Sequence, residues 1–121
     1  MNSISRLSLK TIVMEKKIPL HEQKLTTYVF PSKIEYLEAD GSYVIFHFTS
    51  GTPKTITATL KKYCELLKPS GLFCSVHRSF IVNIEQIEGF DNSHFLIMNS
   101  KASVPITEEG RKNLDAMGFT L

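Results

Sequence analysis

Polar and apolar side chains alternate along this chain in one short run after another, each run closed by turn-forming residues. Residues 6–13 put Leu7, Leu9 and Val13 on one face and Arg6, Ser8 and Lys10 on the other, the pattern of a half-buried strand. Residues 25–30 are β-rich and stop at Pro31. Residues 33–38 follow with Ile34 and Tyr36 in phase, and Asp40-Gly41 marks a turn. Residues 42–49 place Val44, Phe46 and Phe48 opposite Tyr43, Ile45 and His47, and Ser50-Gly51 turns the chain into residues 53–57. Further strands are expected over 72–76, 80–83, 85–90, 94–98 and 102–106, with turns at Asp91-Asn92-Ser93 and Asn99-Ser100.

Two segments break this rhythm. Leu60, Tyr63, Cys64 and Leu67 recur at i, i+3, i+4 and i+7, an amphipathic helix over about 57–68. Thr57 or Thr59 can cap its start, and Pro69-Ser70-Gly71 ends it. Residues 108–117 predict a short C-terminal helix with Glu108 and Glu109 in its first turn, where the helix dipole favours acids. Gly110 inside it costs about 1 kcal/mol relative to Ala. The expected fold is mainly β. Residues 1–30 read as an N-terminal extension with one or two extra strands, the first edge of the same sheet structure, and residues 31–121 as the domain proper. A length of 121 residues holds one core.

Composition narrows the function by exclusion. No apolar run exceeds four residues, so no segment can span a bilayer as a helix, and a cytoplasmic protein is expected. Cys64 and Cys74 lack metal-ligand spacing and read as small buried hydrophobes, with a regulatory thiol as the alternative. No metal or other cofactor is expected. No phosphate loop, nucleophile elbow or Cys/His pairing at a known spacing is present, which argues against an enzyme. The carboxylates of Glu35 and Glu38, like those of Glu108 and Glu109, read as surface charges. Net charge is +2, unevenly spread: residues 1–30 hold five basic and two acidic side chains (+3), residues 31–121 nine and ten (−1). Charge alone does not point to nucleic acid.

The unusual segment is Phe73-Cys74-Ser75-Val76-His77-Arg78-Ser79-Phe80-Ile81-Val82-Asn83. Two strand-like runs bracket the polar triplet His77-Arg78-Ser79, which places those side chains at a sheet end. One reading is a polar turn whose His bonds its own backbone. The other is a ligand site, since all three donate to phosphate oxygens and Arg also forks onto guanine.

This segment resembles the LytTR DNA-binding domain of bacterial transcriptional regulators. The likeness extends to the strand and turn Ile34-Glu35-Tyr36-Leu37-Glu38-Ala39-Asp40-Gly41-Ser42-Tyr43-Val44, the helix leucines Leu60, Leu66 and Leu67, and the strand end Val104-Pro105-Ile106-Thr107. It covers about residues 32–115. The resemblance implies an elongated β sandwich of LytTR type that grips double-stranded DNA with loops in successive major grooves. It implies three contact segments: Asp40-Gly41-Ser42-Tyr43, His77-Arg78-Ser79, and the residues just after Ile106. Carried over by position, Ser42 and Ser79 bond phosphates, His77 donates to a phosphate or base, and Arg78 reads a base. Tyr43 either joins them or packs on the sheet with its hydroxyl outside. Asn83 reads as structural, its amide tying a strand end to a loop.

Thr107 stands at the family's Ser-like position, but Glu108 and Glu109 follow where relatives commonly carry a basic residue, with Arg111 as the nearest substitute. Carboxylates facing phosphates would repel them. The resemblance further implies a DNA-dependent homodimer. Many relatives carry a receiver domain, for which residues 1–30 are too short. The signal therefore comes from a sensor or receiver-domain partner, unless the chain acts alone or is part of a longer protein. The competing expectation is a LytTR-like protein-interaction module that regulates another factor without binding DNA, favoured by Glu108, Glu109 and the −1 balance.

Overall fold

A computed structural model describes residues 15–91 and 94–121. The alternation over residues 6–13, and Asn92 and Ser93 of one expected turn, lie outside the described residues. Among the described residues, ten strands and two α-helices follow one another. Strands β1 (Ile18–His21) and β2 (Thr26–Val29) form a hairpin. Next come β3 (Ile34–Asp40), β4 (Tyr43–Phe48), β5 (Lys54–Thr57), α1 (Leu60–Leu67), β6 (Phe73–His77) and β7 (Phe80–Asn83). The chain closes with β8 (Ile87–Phe90), β9 (Phe95–Met98), β10 (Ser103–Pro105) and α2 (Glu108–Ala116).

The centre is a five-stranded antiparallel sheet in the order β5-β4-β3-β7-β6. One face carries Ile34, Leu37, Val44, Phe46, Ile56 and Ile81, buried beneath Tyr63 and Leu67 of α1 and Ile18 and Leu20 of β1. The other face carries Tyr36, Cys74, Val76 and Val82, buried against Leu96, Met98 and Val104 of the three-stranded sheet β10-β9-β8 and Leu114 of α2. The fold is therefore mainly β, with two cores sharing one sheet.

The strand predictions hold closely for β3 to β10, except that residues 84–86 form a 3-10 turn ahead of β8. Among the described residues, β2 within residues 25–30 pairs with β1, a strand the alternation did not reveal because Pro19 interrupts it, and the hairpin lies over the first core. Glu35 is not a surface carboxylate: it is 3% exposed. A register slip between Ile34 and Tyr36 lets Ile34 and Leu37 face one core while Tyr36 faces the other. Glu35 sits at that slip and accepts the Ser100 amide and hydroxyl at 2.9 and 2.6 Å, which replaces the lost water. Cys74 is buried as expected, whereas Cys64 is half-buried.

Helix α1 starts later than residue 57 because Thr57 still belongs to β5. Thr59 is the cap, its hydroxyl accepting the Lys62 N–H at 3.2 Å. A 3-10 turn over Lys68–Ser70 and Gly71, at φ +69°, stop it. The Tyr63 hydroxyl donates to the Pro19 carbonyl at 3.1 Å, pinning the hairpin to the helix. Among the described residues no helix is long and apolar enough to cross a membrane.

Candidate nucleic-acid interface

Strand order brings the first two predicted segments side by side. Asp40 pairs with Tyr43 across a turn of Gly41 and Ser42, and Gly41 takes φ +58°, a conformation that favours glycine. His77 pairs with Phe80 across a turn of Arg78 and Ser79. Since β7 runs antiparallel to β3 with Phe80 opposite Glu38, both turns emerge at the same end of the sheet. The Ala39 N–H donates to the Ser79 carbonyl at 2.8 Å and ties one turn to the other. Tyr43 is 49% exposed, so it stands outside the sheet's packing, and Arg78 is exposed.

His77 bears out the first reading offered by the sequence, a polar turn whose His bonds its own backbone. Its Nδ1 accepts the Ser79 N–H at 3.0 Å, which orders the turn and leaves the proton of the neutral ring on Nε2. The ring meets Phe80 edge-on at 5.7 Å between centroids, Phe80 meets Tyr36 at 6.3 Å, and Tyr36 stacks on His47 at 4.1 Å. His47 Nε2 lies 2.8 Å from Glu38 Oε1. A ladder of rings across four strands thus supports the turn from beneath. Burial and the neighbouring carboxylates of Glu38 and Glu35 raise the Tyr36 phenol above its ordinary range.

The third segment reaches the same end through the sheet's open edge. The backbone N–H and hydroxyl of Thr107 donate to the Val76 carbonyl at 3.0 and 3.3 Å, next to His77. The same hydroxyl accepts the Gly110 N–H at 3.0 Å, capping α2. Asn113 donates its amide to the Ser75 carbonyl at 2.9 Å, so α2 lies along β6 and covers carbonyls that an edge strand would otherwise expose. Gly110 rests on Val76: a Cβ there would collide with the Val76 carbonyl group and Cα. The glycine that weakens α2 as an isolated helix is what allows α2 to seat.

All seven predicted site residues, Ser42, Tyr43, His77, Arg78, Ser79, Thr107 and Arg111, belong to segments gathered at or next to this one end. Arg111 lies one turn into α2 with its guanidinium carbon 4.7 Å from the Phe90 ring centroid. Glu108 and Glu109 are exposed in the first turn of α2. Asn83, 1% exposed, stands apart from this end: its amide donates to the Ile34 carbonyl at 2.9 Å and its side-chain oxygen accepts the Glu85 N–H at 3.0 Å. Sequence reasoning missed that the start of α1 also comes here. Thr57 pairs with Tyr43, and the Ala58 N–H donates to the Ser42 carbonyl at 3.3 Å. No periodicity within 57–68 could have signalled that contact. No cluster of three or more His, Cys, Asp or Glu side chains that could hold a metal occurs among the described residues.

Comparison with known proteins agrees with this architecture. The family description LytTr DNA-binding domain matches residues 24–118. Among solved structures, the chain is similar to the LytTr DNA-binding domain of a protein designated a methyl-accepting/DNA response regulator from Bacillus cereus. That likeness has a TM-score of 0.70 at 25% identity, covering 86% of this chain and 97% of the other. A comparison with curated proteins finds no match. With 95 consecutive residues matched, from 24 to 118, the chain belongs to the LytTR family of DNA-binding domains.

Proposed function

We propose that the protein is a sequence-specific DNA-binding transcription regulator that reaches into successive major grooves with the loops gathered at one end of its central sheet. The observation that carries this is the Ala39–Ser79 bond, which locks the Gly41-Ser42 and Arg78-Ser79 turns together as neighbouring protrusions. Strands lie about 4.8 Å apart, so the two turns are about 10 Å apart, within a major groove about 12 Å wide. From Thr57 to α2 the row crosses five strands and one helix, about 30 Å. That is close to the roughly 34 Å between successive major grooves.

Each side chain then takes a role that its surroundings allow. Arg78 is the base reader, its fork matching guanine. His77 presents Nε2–H to a phosphate or base, while Nδ1 stays on Ser79. Ser42, Ser79 and Tyr43 offer hydroxyls. The Thr107 hydroxyl already donates to Val76 and accepts from Gly110, which leaves one lone pair. A phosphate has no proton for it, so Thr107 meets a base amino group or acts through position alone. Arg111, against Phe90, carries the charge that Glu108 and Glu109 oppose. No catalytic role or cofactor is assigned. A DNA-dependent homodimer and a sensor or receiver-domain partner belong to the same proposal.

The test is fluorescence anisotropy against a random duplex pool over a salt series, with bound sequences recovered and read. An enriched motif, with log K falling by about 0.9 per tenfold rise in salt for each phosphate contacted, is the expected result. No binding at about 50 mM salt would reject it in favour of the protein-interaction module, for which the acidic first turn of α2 is the structural argument.

A further inference from the structure

Some described lysines pair with carboxylates and others, Lys61, Lys62 and Lys112 among them, do not. Lys54 pairs with Glu22 at 3.3 Å, Lys68 with Glu65 at 3.2 Å and Lys101 with Glu88 at 2.5 Å. Lys61 and Lys62 are exposed and meet no carboxylate among the described residues. Lys62 Nζ lies 5.7 Å from the Tyr63 ring centroid, which steadies the stem and leaves the ammonium outside. Both belong to the first turn of α1, which contains no acidic residue, whereas the first turn of α2 contains two.

Their place in the fold gives that charge a target. The Ala58–Ser42 bond holds the chain just before α1 against the Gly41-Ser42 turn. Three residues of chain span at most about 11 Å, so Lys61 begins within that distance of Ala58, which is itself bonded to the turn. A protrusion seated in a groove about 12 Å wide has backbone phosphates on both flanks at comparable range. The two helix starts therefore differ in sign: the first turn of α1 is basic and the first turn of α2 acidic, with Arg111 and Lys112 following it.

We infer that Lys61 and Lys62 clamp DNA backbone phosphates beside the Gly41-Ser42 turn, so that the duplex is seated on the α1 flank while Glu108 and Glu109 face away from phosphates. The inference rests on the DNA-binding function proposed above and adds which flank supplies the backbone grip.

The test compares the full chain with Lys61→Gln/Lys62→Gln on two duplexes, one recovered by selection and one unrelated, over a salt series. The slope of log K against log salt should lessen by about 1.8 on both, about 0.9 for each lost phosphate contact, with the recovered motif unchanged. Lys61→Arg/Lys62→Arg should retain the wild-type slope, as should Lys68→Gln/Lys101→Gln. If the double Gln variant melts early, the single variants are read instead, each with an expected change of about 0.9. An unchanged slope with DNA binding intact would overturn the clamp and leave the DNA-binding function standing. An equal change in Lys68→Gln/Lys101→Gln would also overturn it, because the effect would report net charge and not place. A wild-type chain that binds neither duplex would overturn both.

Discussion

Gly110→Ala separates the two opposing effects of this residue. In an isolated helix Ala would gain about 1 kcal/mol over Gly. Here its Cβ would enter the space of the Val76 carbonyl group and Cα, and backbone cannot swing aside as a side chain can. Overpacking of this kind costs about 1–3 kcal/mol. Relief requires α2 to lift from β6, which breaks the two Thr107–Val76 bonds and the Asn113–Ser75 bond. At about 0.5–1.5 kcal/mol each those bonds total about 3 kcal/mol. Leu114, fully buried, would also lose contact with its core. After subtraction of the propensity gain the net loss is about 2 kcal/mol or more, a fall in Tm of about 8 °C for a domain this size. Thermal melting followed by circular dichroism reads it. Gly110→Ala melting at or above the wild type would refute the reasoning, since it would mean that α2 is not seated on Val76.

Two further outcomes follow from the same geometry. Arg78→Ala should leave Tm unchanged, because the side chain is exposed, yet cost about 1–3 kcal/mol on the selected site and flatten preference at one base position; retained specificity in a competition assay would remove Arg78 as the reader. Burial, with a smaller contribution from Cys64, pushes the Cys74 thiol from an ordinary 9.0 up to about 11, and burial also raises the Tyr63 and Tyr36 phenols. The fold therefore favours the neutral thiol: its contribution is whole below about pH 9 and is lost as pH rises to about 11. Tm measured over that window in reducing buffer should decline less steeply for Cys74→Val than for the wild type, and parallel curves would reject the assignment.

Much of the fold and the site was legible in the residues themselves. Alternation reports which side chains a strand hides, so β3 to β10 and the faces of β4 were readable locally, as were both helices and the Gly41 turn, with the α1 cap narrowed to Thr57 or Thr59. The triplet His77-Arg78-Ser79 announced itself because three donors between two apolar runs have no place in a core. Contacts between residues far apart in sequence were decided only by the tertiary structure. The slip at Glu35 exists because Ile34 and Leu37 must reach one core and Tyr36 the other, and its buried carboxylate needed Ser100, 65 residues away. Gly110 reads as a defect until Val76 is placed under it. Likewise, four lysines that look alike in sequence divide into paired Lys54 and Lys68 and unpaired Lys61 and Lys62, because ion pairing depends on which carboxylates folding brings near. Local periodicity determined the elements of this protein; the sheet order that sets turns and helix starts at one end came from long-range packing.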